Sequence, residues 1–87
     1  MRRRVVVRGR VQGVFFRDTV RAHAREVGVN GWVRNRPDGA VEAVFEGAPP
    51  RVDELVALCR RGPPAAIVET VECTDEPVEG IGGFGLR

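Results

Sequence analysis

The chemistry this chain could do is concentrated in nine residues, Gly9-Arg10-Val11-Gln12-Gly13-Val14-Phe15-Phe16-Arg17. The apolar run Val5-Val6-Val7 reads as a strand that stops at Gly9. A second glycine follows at Gly13, and the pattern then turns helical with Arg17 near its start. A glycine-bearing loop between a strand and a helix exposes backbone N–H groups that no intrahelical carbonyl accepts. Those donors, with the positive end of the helix dipole, suit a phosphate. Arg17 adds a planar, permanently charged fork that bonds phosphate oxygens in pairs. A cation at a helix N-terminus opposes the dipole, and a bound anion would supply the reason for it. Arg17 also fits a solvated first-turn arginine, and Gly9 and Gly13 fit positive φ in an ordinary tight loop. The nucleotide-binding pattern with Lys and Ser/Thr after the last glycine is absent, so a nucleoside triphosphatase is not expected.

What is missing narrows the chemistry further. The chain has no Lys, Ser or Tyr, and all 14 basic residues are arginine. Schiff-base lysine, serine nucleophile and tyrosine acid are therefore excluded. The one histidine, His23, falls in mid-helix and reads as a surface residue rather than an acid–base group. Cys59 and Cys73 have neither CxxC spacing nor a nearby histidine, so no zinc site is expected. They read as free, buried thiols of a cytoplasmic protein. Arginine, amide groups, carboxylates, backbone donors and water are left to carry any reaction.

Charge is divided unevenly. Residues 1–44 hold ten arginines against four carboxylates, +6, while residues 45–87 hold four against eight, −4. An anionic ligand is favoured at the first half, which contains the glycine loop. The same basic half, with Phe15, Phe16 and Trp32, leaves open a single-strand nucleic-acid binder that stacks bases on aromatic rings. Against that reading, the aromatic signature of the RNA-recognition fold is missing and the Phe pair follows the first strand instead of lying on a sheet. No run approaches the roughly 20 apolar residues of a membrane span. The three-residue run after Arg2-Arg3-Arg4 is too short for a signal peptide.

The elements that must position these residues follow from periodicity. Residues 3–9 read as a strand with Val5 and Val7 on one face and Arg4, Val6 and Arg8 on the other. Residues 15–28 read as a helix whose apolar face is Phe16, Val20, Ala24 and Val27. Residues 30–36 and 40–46 read as a hairpin about the turn Arg36-Pro37-Asp38-Gly39. In its second strand Val41, Ala43 and Phe45 alternate with Glu42, Val44 and Glu46, the pattern of a half-buried strand. Residues 51–61 form a second helix with a core stripe of Val52, Leu55, Val56 and Cys59. Residues 66–75 form a fourth strand, with a skipped beat at Glu69-Thr70 that suggests a bulge. A weak last strand surrounds Phe84-Gly85-Leu86. The order βαββαβ predicts an α+β, ferredoxin-like sandwich: an antiparallel sheet, two helices on one face and a short C-terminal edge strand.

In this setting the chain resembles the acylphosphatase family over essentially its whole length. The resemblance is carried by the 9–17 stretch, by Gly31-Trp32-Val33-Arg34-Asn35, and by the following Asp38-Gly39-Ala40-Val41-Glu42. Gly62-Pro63-Pro64-Ala65-Ala66 ahead of the fourth strand adds to it. The resemblance implies hydrolysis of a small-molecule acyl phosphate to a carboxylate and inorganic phosphate, without metal or organic cofactor. It implies that the loop of Gly9, Arg10, Val11, Gln12, Gly13 and Val14 cradles the phosphate, that Arg17 binds it, and that Asn35 positions the attacking water. The substrate's phosphate would take the water's proton. A single domain over 1–87, working as a cytoplasmic monomer without membrane or nucleic-acid partner, is the expectation that goes with it. A phosphate-sensing module of a larger machine is the alternative, and the start at Met1 favours a free-standing protein. Arg36 beside Asn35, where some relatives have a small hydroxyl residue, and the glycine-rich end Gly83-Phe84-Gly85-Leu86-Arg87 depart from the pattern.

Overall fold

The computed structural model describes all 87 residues. Its elements run β1 (Arg2–Arg10), α1 (Phe16–Val27), β2 (Asn30–Asn35), β3 (Val41–Glu46), α2 (Pro49–Arg61), β4 (Ile67–Glu76) and β5 (Phe84–Leu86). The sheet order is β4-β1-β3-β2-β5. The expected stripes meet in one core. Val5, Val7, Val33, Val41, Ala43 and Phe45 from the sheet pack against Phe16, Val20 and Ala24 of α1 and Val52, Leu55 and Cys59 of α2. Helix α2 begins two residues earlier than expected, on Pro49 and Pro50. Their missing N–H groups cost nothing there, because first-turn donors have no intrahelical acceptor.

The expected bulge is present. Arg8 lies opposite Thr70 and Gly9 opposite Val68, so Glu69 is the extra residue of β4. The hairpin turn also forms, with the Gly39 N–H donating to the Arg36 carbonyl at 3.1 Å.

Three expectations are corrected. The sheet is mixed, not antiparallel throughout, because β5 runs parallel to β2. The 77–83 connection returns the chain across the sheet so that β5 enters beside β2 in the same direction. Cys73 is exposed, not buried. It lies on edge strand β4, where alternation marks a face of the sheet but cannot ensure cover. Strand β3 is buried on both faces, not half-buried.

The reason for that last difference is electrostatic. Glu42 accepts from Arg34 at 2.7 Å and also from Arg4. Glu46 accepts from Arg2 at 2.8 Å, and Arg2 also reaches Glu76 at 2.9 Å. These arginine stems lie along the sheet and cover it while satisfying the carboxylates. Burial pushes the Glu42 carboxyl up, but Arg34 and Arg4 outweigh it and hold it below the usual range. Glu46 also accepts the N–H groups of Glu79, Gly80 and Ile81 at 2.9, 3.1 and 3.1 Å. It thereby fastens the segment that leads into β5. The Glu79 N–H first, and then Arg2 with the other two amides, overcome burial and bring its carboxyl to about 2.

The glycine-rich C-terminus is held as well. Phe84 stacks on Phe45 with ring centroids 5.8 Å apart, and the Arg87 N–H donates to Val33 at 2.9 Å. No helix is long and apolar enough to cross a membrane.

Candidate active site

The loop between β1 and α1 and the end of β2 meet at one edge of the sandwich. They enclose a cavity of about 230 Å³ lined by Val11, Gly13, Phe15, Phe16, Arg17, Asp18 and Asn35. Arg17 is carried on the first turn of α1, whose register is fixed by burial of Phe16, Val20 and Ala24. Asn35 is the last residue of β2, and Val33 on the same strand is fully buried. Residues 18 apart in sequence are thus brought to one hollow by the helix packing on the sheet.

The backbone around the hollow is rich in free donors. From Val11 through Asp18, no backbone N–H donates to a carbonyl or side-chain oxygen of the protein. The first inward bond is from Thr19 to the Phe15 carbonyl at 3.1 Å. Arg17 forms no ion pair, and its neighbour Asp18 is held by Arg21 at 3.2 Å. A guanidinium without a carboxylate, a helix N-terminus and a run of unused amides make a site for a compact anion.

The residues expected in the site divide into two groups. Val11, Gly13, Arg17 and Asn35 line the cavity, whereas Gly9, Arg10, Gln12 and Val14 do not. Gly9 is set by the sheet: its φ is 132° and a Cβ there would stand 2.2 Å from the Ile67 carbonyl oxygen. Any side chain would collide with β4 at the bulge. Val14 is buried in the core.

The Gln12 side chain turns to the hairpin, donating from Nε2 to the carbonyls of Arg36 at 2.8 Å and Ala40 at 3.0 Å. This amide clamp ties the loop to the strand end that carries Asn35. Nothing in the sequence gave Gln12 that role, since its partners lie 24 and 28 residues away. Phe15, Phe16 and Asp18 also line the hollow; for Asp18, adjacency to Arg17 was the one signal in the sequence.

The other candidates have structural places. His23 Nε2 lies 2.8 Å from Glu54 and links α1 to α2. Trp32 is 6% exposed, with the guanidiniums of Arg87 and Arg4 at 4.5 and 5.6 Å from its ring. Arg36 pairs with Asp38 at 3.0 Å in the turn. Burial pushes the Cys59 thiol up to about 12, which leaves it an inert core group. No three His, Cys, Asp or Glu side chains gather as a metal-binding group.

Comparison with known proteins gives the family. The family model described as Acylphosphatase matches residues 3–85. The chain belongs to the acylphosphatase family. It is 61% identical over 85 residues to an acylphosphatase of Rubrobacter xylanophilus, covering 97% of this chain and 77% of that one. Its fold is similar to the crystal structure of acylphosphatase from Bacillus subtilis, with TM-score 0.93, 36% identity and coverage of 99% and 97%. An acylphosphatase structure from Coxiella burnetii superposes with TM-score 0.94 at 40% identity, covering 99% of this chain and 90% of that one. Membership makes the chain a hydrolase of acyl phosphates.

Proposed function

We propose that the hollow between the 11–18 loop and Asn35 is where the acyl phosphate is hydrolysed. Arg17 and the free loop amides hold the phosphoryl group, and Asn35 holds the attacking water. The observation that carries this reading is the unpaired Arg17 beside amides that no protein oxygen accepts, with Asn35 in the same 230 Å³ cavity. Water oxygen forms the new P–O bond while the P–O bond to the carboxyl breaks, and the carboxylate leaves with the electron pair. The water's proton passes to a phosphate oxygen. A carboxylate is a good leaving group, so no strong general acid is needed. Phosphoryl transfer then asks mainly for position and charge stabilisation. The Asn35 amide oxygen accepts from water without bringing a charge that would repel phosphate.

Gly9 and Val14 act in this scheme by shaping the loop, Gln12 by fastening it, and Arg10 by adding to the basic field of the first half. The substrate is a small molecule, and no metal or organic cofactor enters the reaction. The reading takes residues 1–87 as one domain that works as a cytoplasmic monomer without nucleic acid. The family match over 3–85 supports the single domain.

The test is release of inorganic phosphate from acetyl and benzoyl phosphate in the presence of chelator. Arg17→Ala and Asn35→Ala should each lower kcat by about 10²–10³, the loss typical of one preorganised donor, with unchanged circular dichroism. Near-parental turnover in either folded variant removes the role given to that residue.

A further inference from the structure

Phe15 is the one non-glycine residue with positive φ, at 63°, and it is 77% exposed. It immediately precedes α1, and its carbonyl accepts from the Thr19 N–H at 3.1 Å and the Thr19 hydroxyl at 2.8 Å. That backbone shape directs the chain into the helix, but it asks for Gly or Asn, not for a bulky aromatic. The side chain therefore carries two costs, a left-handed conformation and an apolar surface left in water. Core packing offsets neither, because the ring is outside the buried cluster. Phe15 is one of the residues that line the hollow, with Gly13, Arg17 and Asn35. The other apolar groups there, Val11 and Phe16, are buried, which leaves Phe15 as the apolar group at the rim.

The size of the hollow says what meets that rim. At about 230 Å³ it is smaller than the roughly 300–1,000 Å³ sites that enclose a drug-sized ligand. It has room for the phosphoryl and carboxyl groups, and the rest of the acyl group must leave past the mouth. We propose that Phe15 is a specificity-determining residue: its ring receives the acyl substituent, so that the enzyme favours acyl phosphates with aromatic or extended apolar acyl groups. An offset-stacked or edge-on ring pair at the mouth is the contact expected for an aryl group.

This rests on the reading of the hollow as the active site, and the experiment separates the two. The ratio of kcat/KM for benzoyl phosphate to that for acetyl phosphate is measured in the parent and in Phe15→Asn, which keeps a residue tolerant of positive φ. The ratio should fall by roughly threefold to tenfold, the worth of one aromatic contact. Phe15→Leu should fall between the two. An unchanged ratio overturns the inference. A second measurement needs no variant. Phenylphosphonate should inhibit the unmodified protein at least about threefold more strongly than methylphosphonate, on the same contact. Equal inhibition overturns the inference. If Arg17→Ala abolishes turnover while the Phe15→Asn ratio stays parental, only the role of Phe15 fails. If Arg17→Ala leaves both substrates turning over, the site itself has been misplaced.

Discussion

The Gln12 clamp makes the sharpest link between packing and rate. Its Nε2 group spans the two chains of the β2–β3 hairpin, donating to Arg36 at 2.8 Å and Ala40 at 3.0 Å. Arg36 directly follows Asn35, so the clamp fixes the distance between the Asn35 amide and the 11–18 loop. Gln12→Ala deletes both bonds. At about 0.5–1.5 kcal/mol each, the loss of stability is near 2 kcal/mol. For a domain of this size that is a fall in Tm of about 8–16 °C. The kinetic effect is larger than the stability effect, because a displacement of about 1 Å in a positioning group can cost about 10² in rate.

Arg17 and the loop amides are untouched, so kcat should fall far more than inhibition by inorganic phosphate weakens. Gln12→Glu sharpens the test. It preserves shape but replaces the donor with a carboxylate facing two carbonyl oxygens, and it should be no better than Gln12→Ala. Steady-state assays with benzoyl phosphate and a thermal melt check both effects. A Gln12→Ala protein with kcat within about threefold of the parent would refute the coupling between loop and hairpin. So would equal losses in kcat and phosphate affinity.

Two further substitutions probe the frame. Glu46→Gln leaves Arg2 and one backbone N–H facing an amide NH2, in a place where Glu46 is 4% and Arg2 5% exposed. Breaking a buried pair from one side costs about 3–5 kcal/mol, to be read from urea unfolding at pH 7, with lost hydrogen-exchange protection at Gly80 and Ile81. Because the folded Glu46 carboxyl is held down at about 2, its contribution is complete above the unfolded-state value and fades as pH falls towards 2. The gap between parent and variant should therefore narrow from about pH 5 downwards, and a gap constant to pH 2 would contradict this. Gly9→Ala places a Cβ 2.2 Å from the Ile67 carbonyl in a positive-φ residue, so β4 must shift. A destabilisation of about 2–4 kcal/mol in urea is expected from overpacking and strain together; a parental midpoint would mean the bulge is loose.

Much of the fold is local information, and the sequence carries it. The stripe of Phe16, Val20 and Ala24 and that of Val52, Leu55, Val56 and Cys59 need only the 3.6-residue period to declare two helices and their buried faces. The skipped beat at Glu69 marks a bulge because alternation has a strict period of two. The loop of unused amides is legible for the same kind of reason. Glycines, a helix start and Arg17 all lie within one short stretch, and free N–H groups at a helix N-terminus follow from backbone geometry alone.

Tertiary structure decided what depends on partners distant along the chain. Glu42 and Glu46 read as solvent-facing until Arg2, Arg4 and Arg34 are laid across them, because a carboxylate's burial is set by the cations that satisfy it. The direction of β5 depends on where the chain re-enters the sheet, and the exposure of Cys73 on its being at an edge. The Gln12 amide took its meaning from two carbonyls on another hairpin, and Phe15 took its own from a left-handed turn that no aromatic residue advertises. Residue type and spacing state which groups can bind a phosphate. Only the packed molecule places Asn35 across from Arg17, since that distance is set by a helix seated on a sheet rather than by bonds along the chain.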